Sequence, residues 1–205
     1  MRAMLLQRIQ QHFIDSADLK YQAAQAMAPA VEAAVGAVLA CVTSGGKVMT
    51  CGSGVSASLA QAFAAFFVGR FERERPELAA LALSANAAVL TGPSAELDGV
   101  GIFARQVRAL GQPGDVLLLV TSLSPTPDIL AAVDAAHERD MMVVALCAAK
   151  AGAMSALLRD TDVLVSAPTE RQPRIHEMHQ LALHCICDGV DVQLLGDDAE
   201  PEMEP

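Results

Sequence analysis

Apolar residues occur along the chain as short continuous runs, separated by longer stretches in which they recur every three or four positions. Five continuous runs are short enough for β-strands and predict strands at residues 47–51, 78–83, 115–121, 141–147 and 162–166. Helical spacing predicts helices at residues 57–71, 102–110, 127–139, 153–158 and 173–195. Because continuous apolar strands separated by helices indicate a parallel sheet covered on both faces, we predict an α/β protein, a three-layer αβα sandwich with a five-stranded parallel sheet.

The region upstream of the first predicted strand is also expected to be helical. Apolar positions at helical spacing continue from Leu5 to Val42, and Gly45 and Gly46 end the pattern. Two helices are expected, with a break within residues 15–20 or at Pro29, because proline lacks the N–H that an interior helical turn needs.

Length and composition favour a single cytoplasmic domain. A chain of 205 residues, 53% of them apolar, suits one α/β domain, which we assign to residues 1–196 with a helical extension at its start. Residues 197–205 are mostly acidic and are predicted to be a disordered tail. The net charge of −10 disfavours direct nucleic-acid binding. The cysteines lack framework spacing and the N-terminus lacks a signal-peptide pattern, which predicts a reduced protein. No uninterrupted apolar span reaches the length of a membrane helix, so we expect no membrane insertion.

The turn after the first predicted strand is the strongest candidate for a ligand site. It has the sequence Cys-Gly-Ser-Gly-Val-Ser at residues 51–56, and two glycines one residue apart permit a sharp turn and a close approach of the backbone to a ligand. Ser56 is expected at the N-cap of the next helix, with its hydroxyl and free N–H groups facing outward toward a phosphate. A tight strand-to-helix turn without a ligand would use the same glycines.

Three segments resemble the sugar isomerase (SIS) domain of phosphoheptose isomerases. The first has the sequence Ala-Gln-x-Phe-Ala-Ala-x-x-Val-Gly-Arg-Phe-x-x-Glu-Arg-Pro at residues 60–76, and the second has Phe-Ala-Arg-Gln-Val at 103–107 followed by Leu-Gly-x-Pro-Gly-Asp-Val-Leu-Leu at 110–118. The third combines Arg-Ile-His-Glu-Met-His at 174–179 with His-Cys-Ile-Cys-Asp at 184–188. The resemblance covers nearly the whole chain and implies a flavodoxin-like doubly wound sheet. Within the family, the third segment looks closer to proteins that associate with the replication initiator DnaA.

The resemblance implies a homotetramer with phosphosugar sites at subunit interfaces. In the isomerases of this family, a metal-assisted acid/base pair moves a proton between C1 and C2 of sedoheptulose 7-phosphate, which requires a carboxylate, an imidazole and a metal that polarises the carbonyl. The family supplies these groups as a His and a Glu four residues apart on the helix after the glycine turn, and as a Gln and a His on the last helix.

The chain departs from this pattern on both helices. Ala62 and Phe66 stand where the family has the metal-binding His and the catalytic Glu, while His176 replaces the Gln and His184 stands at the catalytic His. A residual metal site using His176 and His184 is conceivable on one side of a helix, but two ligands opposite an apolar wall bind metal poorly. We therefore expect no cofactor, with zinc only if the protein is an isomerase.

The phosphate loop of the family is altered too. Its Ser-Thr-Ser-Gly-Asn-Ser corresponds to Thr-Ser-Leu-Ser-Pro-Thr at residues 121–126, so Leu123 replaces a serine and Pro125 lacks an N–H donor. The candidate phosphosugar contacts that the resemblance leaves are Ser53, Ser56, Asn86, Thr121, Ser122, Ser124 and Thr126.

Two functions from different classes follow. The first is a non-catalytic SIS-domain protein that binds a carbohydrate derivative, such as a phosphosugar or sugar nucleotide, or acts in regulation by associating with DnaA through Leu194 and Leu195. The alternative is a phosphoheptose isomerase that converts sedoheptulose 7-phosphate to D-glycero-D-manno-heptose 7-phosphate with a rearranged site. There His184 would be the base, and Glu177 or Glu96 would supply the carboxylate. The lost metal ligand and carboxylate favour the non-catalytic function.

Overall fold

The chain forms five strands and seven helices in a computed structural model that describes residues 2–96, 99–122, 124–150 and 152–197, apart from the side chains of residues 2, 3 and 93–96. The strands are β1 Val48–Gly52, β2 Ala80–Ala82, β3 Val116–Val120, β4 Met142–Ala148 and β5 Val163–Ala167. The helices are α1 Arg2–Thr43, α2 Val55–Val68, α3 Ala87–Glu96, α4 Ile102–Leu110, α5 Pro127–Glu138, α6 Gly152–Leu157 and α7 Gln172–Leu195. The predicted α/β class is confirmed.

The strands form one parallel sheet in the order β2-β1-β3-β4-β5. The strand order reverses between β1 and β3, which is the topological switch point where ligands bind in doubly wound folds. Gly52 at the end of β1 pairs with Val120 at the end of β3, so the loops that follow these two strands leave the sheet side by side. The sheet therefore places the glycine turn and the residues that directly follow β3, Thr121 and Ser122, at one crevice.

Alternate side chains of each strand enter two separate cores. Val116, Leu118 and Val120 of β3 pack with α1, α2 and α7, whereas Leu117 and Leu119 pack with α4 and α5 on the other face. Each of these strand residues is at most 1% exposed. Helices on both faces explain why the strands are continuous apolar runs and not alternating ones.

The expected break in the N-terminal region is wrong, because α1 is one helix of 42 residues with Pro29 inside it. Pro29 lies on an exposed position, as does Gln25, whose carbonyl loses its helical partner. Water can satisfy that carbonyl, so the helix continues through the proline at a reduced cost.

Helix α1 is also long and apolar enough to cross a membrane, although Glu32 interrupts its apolar sequence, so no uninterrupted apolar span reaches this length. Core helices of soluble proteins pass the same test. Ala34 and Val38 in its C-terminal half are fully buried against the sheet and α7. Length and apolar composition are therefore weak evidence for a membrane span here.

Helix α3 was not predicted, because Gly92 and Pro93 resemble a loop sequence. Asn86 begins this helix: its side-chain oxygen accepts hydrogen bonds from the backbone N–H groups of Ala88 at 3.1 Å and Val89 at 3.2 Å. At the other end of the chain, the predicted acidic tail lies outside the described residues, except for Asp197.

Candidate functional site

The two glycines of the turn after β1 are each required for a different physical reason. A Cβ on Gly52 would lie 2.8 Å from the backbone of Ser56 and 2.8 Å from the carbonyl oxygen of Val120, so no side chain fits where β1, β3 and α2 meet. Gly54 has φ +60° and is the N-cap of α2, a conformation that residues with a Cβ rarely adopt. The glycine turn is therefore dictated by the fold, whether or not it binds a ligand.

The expectation that Ser56 is the N-cap of α2 is wrong, because the helix begins at Val55 and its N-cap is Gly54. Its residue is 2% exposed, so the hydroxyl does not face the crevice. Ser53 is the exposed hydroxyl of this turn, and its Oγ lies 3.3 Å from a carboxylate oxygen of Asp128. A ligand at the turn would meet Ser53 and the free N–H groups at the start of α2.

The loop after β3 supplies the other predicted hydroxyls. Thr121 and Ser122 are buried, at 8% and 7% exposure, whereas Ser124 and Thr126 are exposed. Thr126 is the N-cap of α5, so the N-termini of α2 and α5 both lie at the crevice. Two helix N-termini favour an anion there. Leu123, which replaces a serine of the family's phosphate loop, lies outside the described residues.

Asn86 is set apart from the other predicted phosphosugar contacts. It lines an open cavity of about 930 Å³ on the opposite side of β1, together with Arg105 and Gln106. None of the other predicted contact residues lines this cavity. Since its side-chain oxygen already caps α3, only the amide N–H groups of Asn86 remain for a ligand.

The carboxylate of Asp128 stands against phosphate binding at the crevice. It lies in the first turn of α5, next to Ser53, where the helix N-terminus would otherwise favour an anionic ligand. We expect Asp128→Asn to tighten binding of a phosphosugar about three- to tenfold, because like-charge repulsion is removed while the side chain keeps its shape. Isothermal titration calorimetry measures the change, and Asp134→Asn on the same helix is the matched control. Equal affinities of wild type and Asp128→Asn would contradict a phosphate position at this crevice.

Helix α7 carries a row of polar side chains that starts at the crevice. Nε2 of Gln172 lies 3.4 Å from the Oγ of Ser122, and His176, Gln180 and His184 follow at intervals of one turn. His184 is half-buried beside α2, with its ring centroid 5.7 Å from that of Phe66 and 5.4 Å from that of Phe71. The side-chain amide nitrogen of Gln180 donates a hydrogen bond to Nε2 of His184.

The other two histidines of α7, His176 and His179, have buried ring nitrogens. His179 is fully buried, and its Nε2 donates a hydrogen bond to the carbonyl oxygen of Cys147 at 3.0 Å, which ties α7 to β4. Burial lowers the pKa of His179 to about 4, so its imidazole is neutral near pH 7. Burial also lowers the pKa of His176, whose buried Nε2 has no hydrogen-bond partner among the described residues. The ring of His179 is therefore not positioned as the base of a reaction.

The described residues do not fit the metal that the family resemblance implies. Groups of three or more His, Cys, Asp or Glu side chains that could hold an ion are absent from the described ranges. The α2 positions that would complete such a site are Ala62 and Phe66, and the ring of Phe66 packs against His184. Cys185 is exposed and Cys187 is buried on α7, so these thiols do not form a pair either. Zinc therefore lacks a ligand set around His184 within this part of the chain.

Neither carboxylate considered for the rearranged site is shown beside His184. Glu177 accepts a hydrogen bond from Ser16 Oγ at 2.6 Å and pairs with Arg174. Burial opposes ionisation of Glu177, but these two hydrogen bonds outweigh it and lower the pKa of the carboxyl, which makes it a weaker base. The side chain of Glu96 lies outside the described residues.

The crevice and His184 are too far apart for one substrate within one chain. His184 lies twelve residues beyond Gln172, which corresponds to about 18 Å along α7. An extended heptose phosphate spans roughly 10 Å at ordinary bond lengths. A substrate held at the crevice of one chain would therefore not reach His184 of the same chain.

Leu194 and Leu195, the predicted partner-binding residues, are 37% and 41% exposed at the end of α7. Sequence reasoning missed two α7 side chains that touch candidate groups, Gln172 beside Ser122 and Gln180 beside His184. The signal for Gln180 was present, since residues four apart on a helix lie on the same side.

Comparisons with known proteins place the chain among sugar isomerases. Residues 11–148 match the SIS domain family. The phosphoheptose isomerase of Methylibium petroleiphilum is 56% identical over 95% of this chain and 97% of its own length. That of Azoarcus sp. is 46% identical over 94% of this chain and 98% of its own length. In a solved structure, phosphoheptose isomerase GmhA from Neisseria gonorrhoeae is 39% identical, with a TM-score of 0.86, over 91% of this chain and 98% of that chain.

These similarities contradict the expected non-catalytic function. Relatives that match over nearly their full length bear the name of an isomerase, so the alternative is the better supported function. Placement among the DnaA-associating proteins does not follow from them. The expectation of a non-catalytic protein rested on Ala62 and Phe66, which replace the family's His and Glu on α2, although His184 on α7 is retained.

Proposed function

The chain belongs to the SIS-domain family of phosphoheptose isomerases, and we propose that it interconverts sedoheptulose 7-phosphate and D-glycero-D-manno-heptose 7-phosphate with a rearranged acid/base site. The observation that carries the proposal is His184, an imidazole kept on α7 between two aromatic rings and a glutamine amide in a chain with full-length similarity to isomerases. Histidine suits proton transfer near neutral pH because its ordinary pKa lies close to that pH.

In the proposed reaction, the imidazole of His184 takes a proton from C1 of the ketose. The electron pair forms the C1=C2 double bond of an enediol as the oxygen on C2 gains a proton from solvent. The imidazolium then returns its proton to C2, and the hydroxyl on C1 loses its proton to solvent as the aldehyde forms. One base therefore serves both carbons, and the proton count of the sugar is unchanged.

We propose that two copies of the chain complete each site within a homotetramer. The separation of about 18 Å between Gln172 and His184 supports this, because the crevice of one copy and the His184 of another can then hold one substrate. Tetramer assembly is also what the family resemblance implies.

Helix α1 offers the contact for a second copy. Its first half exposes a row of large apolar side chains, namely Met4, Leu5, Leu6, Ile9, Phe13, Ile14 and Tyr21. Its second half forms, with α7, an apolar groove of about 540 Å³ whose α1 lining extends from Lys20 to Val35. The exposed row and the groove lining are each about 22 to 26 Å long, so the row of one copy can fill the groove of another in an isologous pair.

We expect the double variant Ile9→Asp/Phe13→Asp to lose assembly, because two carboxylates cannot be buried in an apolar groove without a large cost. Size-exclusion chromatography with light scattering measures the mass of the particle. Gln10→Asp, which adds a carboxylate at a polar position of the same helix, should leave the assembly intact. A monomeric wild type would contradict the proposed tetramer.

The test of the proposed function is conversion of sedoheptulose 7-phosphate by the purified full-length protein, followed by NMR of the sugar. Turnover supports the proposal, and its absence both with and without added zinc would overturn it. We also propose a cytoplasmic location, which the free cysteines Cys41, Cys51, Cys147, Cys185 and Cys187 support.

A further inference from the structure

We propose that the cavity of about 930 Å³ beside β2 is a second ligand site, which binds an organic anion composed of a carboxylate or phosphate group and an apolar body. Arg105 and the side-chain amide of Asn86 hold the anionic group, and the apolar wall holds the rest of the ligand. The inference goes beyond the proposed isomerase function and does not rest on it, since neither Ser53 nor His184 is among the described residues that line this cavity.

The cavity lies at the edge of the sheet, where β2 pairs with β1 on its inner side. The start of α3 and one side of α4 form its other walls. Nε2 of Gln106 on α4 donates a hydrogen bond to the carbonyl oxygen of Leu83 at 3.0 Å. Nε2 of Gln61 on α2 donates one to the carbonyl oxygen of Ser84 at 3.2 Å. The segment between β2 and α3 is therefore held from two helices, so a ligand need not order this wall in order to bind.

Arg105 and Asn86 supply unengaged N–H donors to the cavity. Arg75 and Arg108 pair with carboxylates, whereas the guanidinium of Arg105 has no hydrogen bond or ion pair with another described residue. The amide N–H groups of Asn86 are also unengaged, because only its oxygen caps α3. Within the described ranges no Asp or Glu side chain lines the cavity, although the chain has a net charge of −10. A planar guanidinium and an amide suit the oxygens of a carboxylate or phosphate.

The rest of the wall is apolar and partly exposed. Leu81 and Leu110 are 38% and 45% exposed, and the other lining residues apart from Gln106 are alanines and Val89. A ligand that covers these side chains gains free energy by removing apolar surface from water. A sugar chain would instead place hydroxyl groups against them and lose hydrogen bonds to water. The wall therefore favours an aliphatic or aromatic body over the phosphosugar that the family resemblance implies for Asn86.

The experiment uses two probes that combine an anion with an apolar ring, phenyl phosphate and phenylacetate. Inorganic phosphate and benzyl alcohol each carry one half of this chemistry and are the comparators. Isothermal titration calorimetry gives the Kd values, and NMR of the ¹⁵N-labelled full chain follows the side-chain signals of Asn86 and Arg105. We expect at least one probe to bind about tenfold or more tightly than either comparator and to shift both signals.

Two variants test the donors separately. Arg105→Gln removes the charge and should weaken binding of the tighter probe about 10- to 100-fold. Asn86→Asp should also weaken it about tenfold or more, because a carboxylate replaces the N–H donors while aspartate still caps α3. Arg108→Gln is the matched control: it removes the same charge from an exposed residue of α4 outside the cavity, and its Kd should stay within about twofold of wild type.

Each result decides for or against the site. Loss of affinity in Arg105→Gln and Asn86→Asp but not in Arg108→Gln supports it, and the tighter probe identifies the anionic group. Equal binding of benzyl alcohol, no shift of either side-chain signal at millimolar probe, or wild-type affinity in both variants overturns it. Binding that shifts the signals of Ser53 and Thr126 instead, and responds to Asp128→Asn, assigns the probe to the crevice and also overturns it. Turnover of sedoheptulose 7-phosphate is not a readout here, so this inference and the proposed function can fail separately.

Discussion

Replacing His184 with alanine should lower kcat for sedoheptulose 7-phosphate by about 100- to 10,000-fold, the usual loss when a general base is removed. His184 is the one imidazole of α7 whose ring lies beside α2 with a side-chain hydrogen bond to orient it, whereas His179 is committed to the carbonyl of Cys147. Since the ring of His184 is half-buried and not in the sheet-facing core, its truncation should leave the fold intact.

The control for this variant is Cys185→Ala, a truncation of the next residue, which faces the groove between α1 and α7. Circular dichroism and particle mass show whether both variants fold and assemble, and a coupled sugar assay gives the rates. If His184→Ala kept the wild-type rate while folded, the base would have to be another group, and the proposed mechanism would be wrong.

The sheet could be predicted from sequence because its strands are buried on both faces and therefore consist of continuous apolar residues. All five predicted strands overlap those observed. The spacing of Gly52 and Gly54 correctly predicted a sharp turn after β1. The break predicted at Pro29 of α1 was wrong, since helix propensity does not show whether the carbonyl of Gln25, which loses its hydrogen-bond partner, faces water. The hydroxyl of Ser56 was misplaced because α2 begins at Val55, two residues earlier than its apolar pattern suggests.

The candidate site was only partly predictable. The sequence showed that Ala62 and Phe66 replace polar groups, but it did not show that Phe66, Phe71 and Gln180 enclose His184. Those contacts depend on how α2 and α7 lie against each other, which is a tertiary property. The step from missing α2 side chains to a missing activity was wrong, since relatives similar over nearly their full length are named phosphoheptose isomerases.

Among polar residues, we expect replacement of Arg75 to lower the free energy of unfolding most. Its side chain is 1% exposed, and its Nε donates to Asp191 Oδ1 at 2.6 Å. Its guanidinium also donates hydrogen bonds to the carbonyl oxygens of Phe66 at 2.8 Å and Phe67 at 3.0 Å, and so caps the C-terminal end of α2. Arg75→Met leaves the buried carboxylate of Asp191 unpaired, and we expect the free energy of unfolding to fall by about 3 to 5 kcal/mol in urea titrations.

A second substitution tests whether the unpaired charge causes this loss. In Arg75→Met/Asp191→Leu no buried charge remains, so we expect the double variant to recover most of the lost stability, except for the part due to the uncapped carbonyls of α2. An equal loss in the single and double variants would assign the effect to those carbonyls. Because these bonds fix the end of α2 that carries Phe66, the single variant should also release the ring packed on His184 and lower kcat at temperatures where it is still folded.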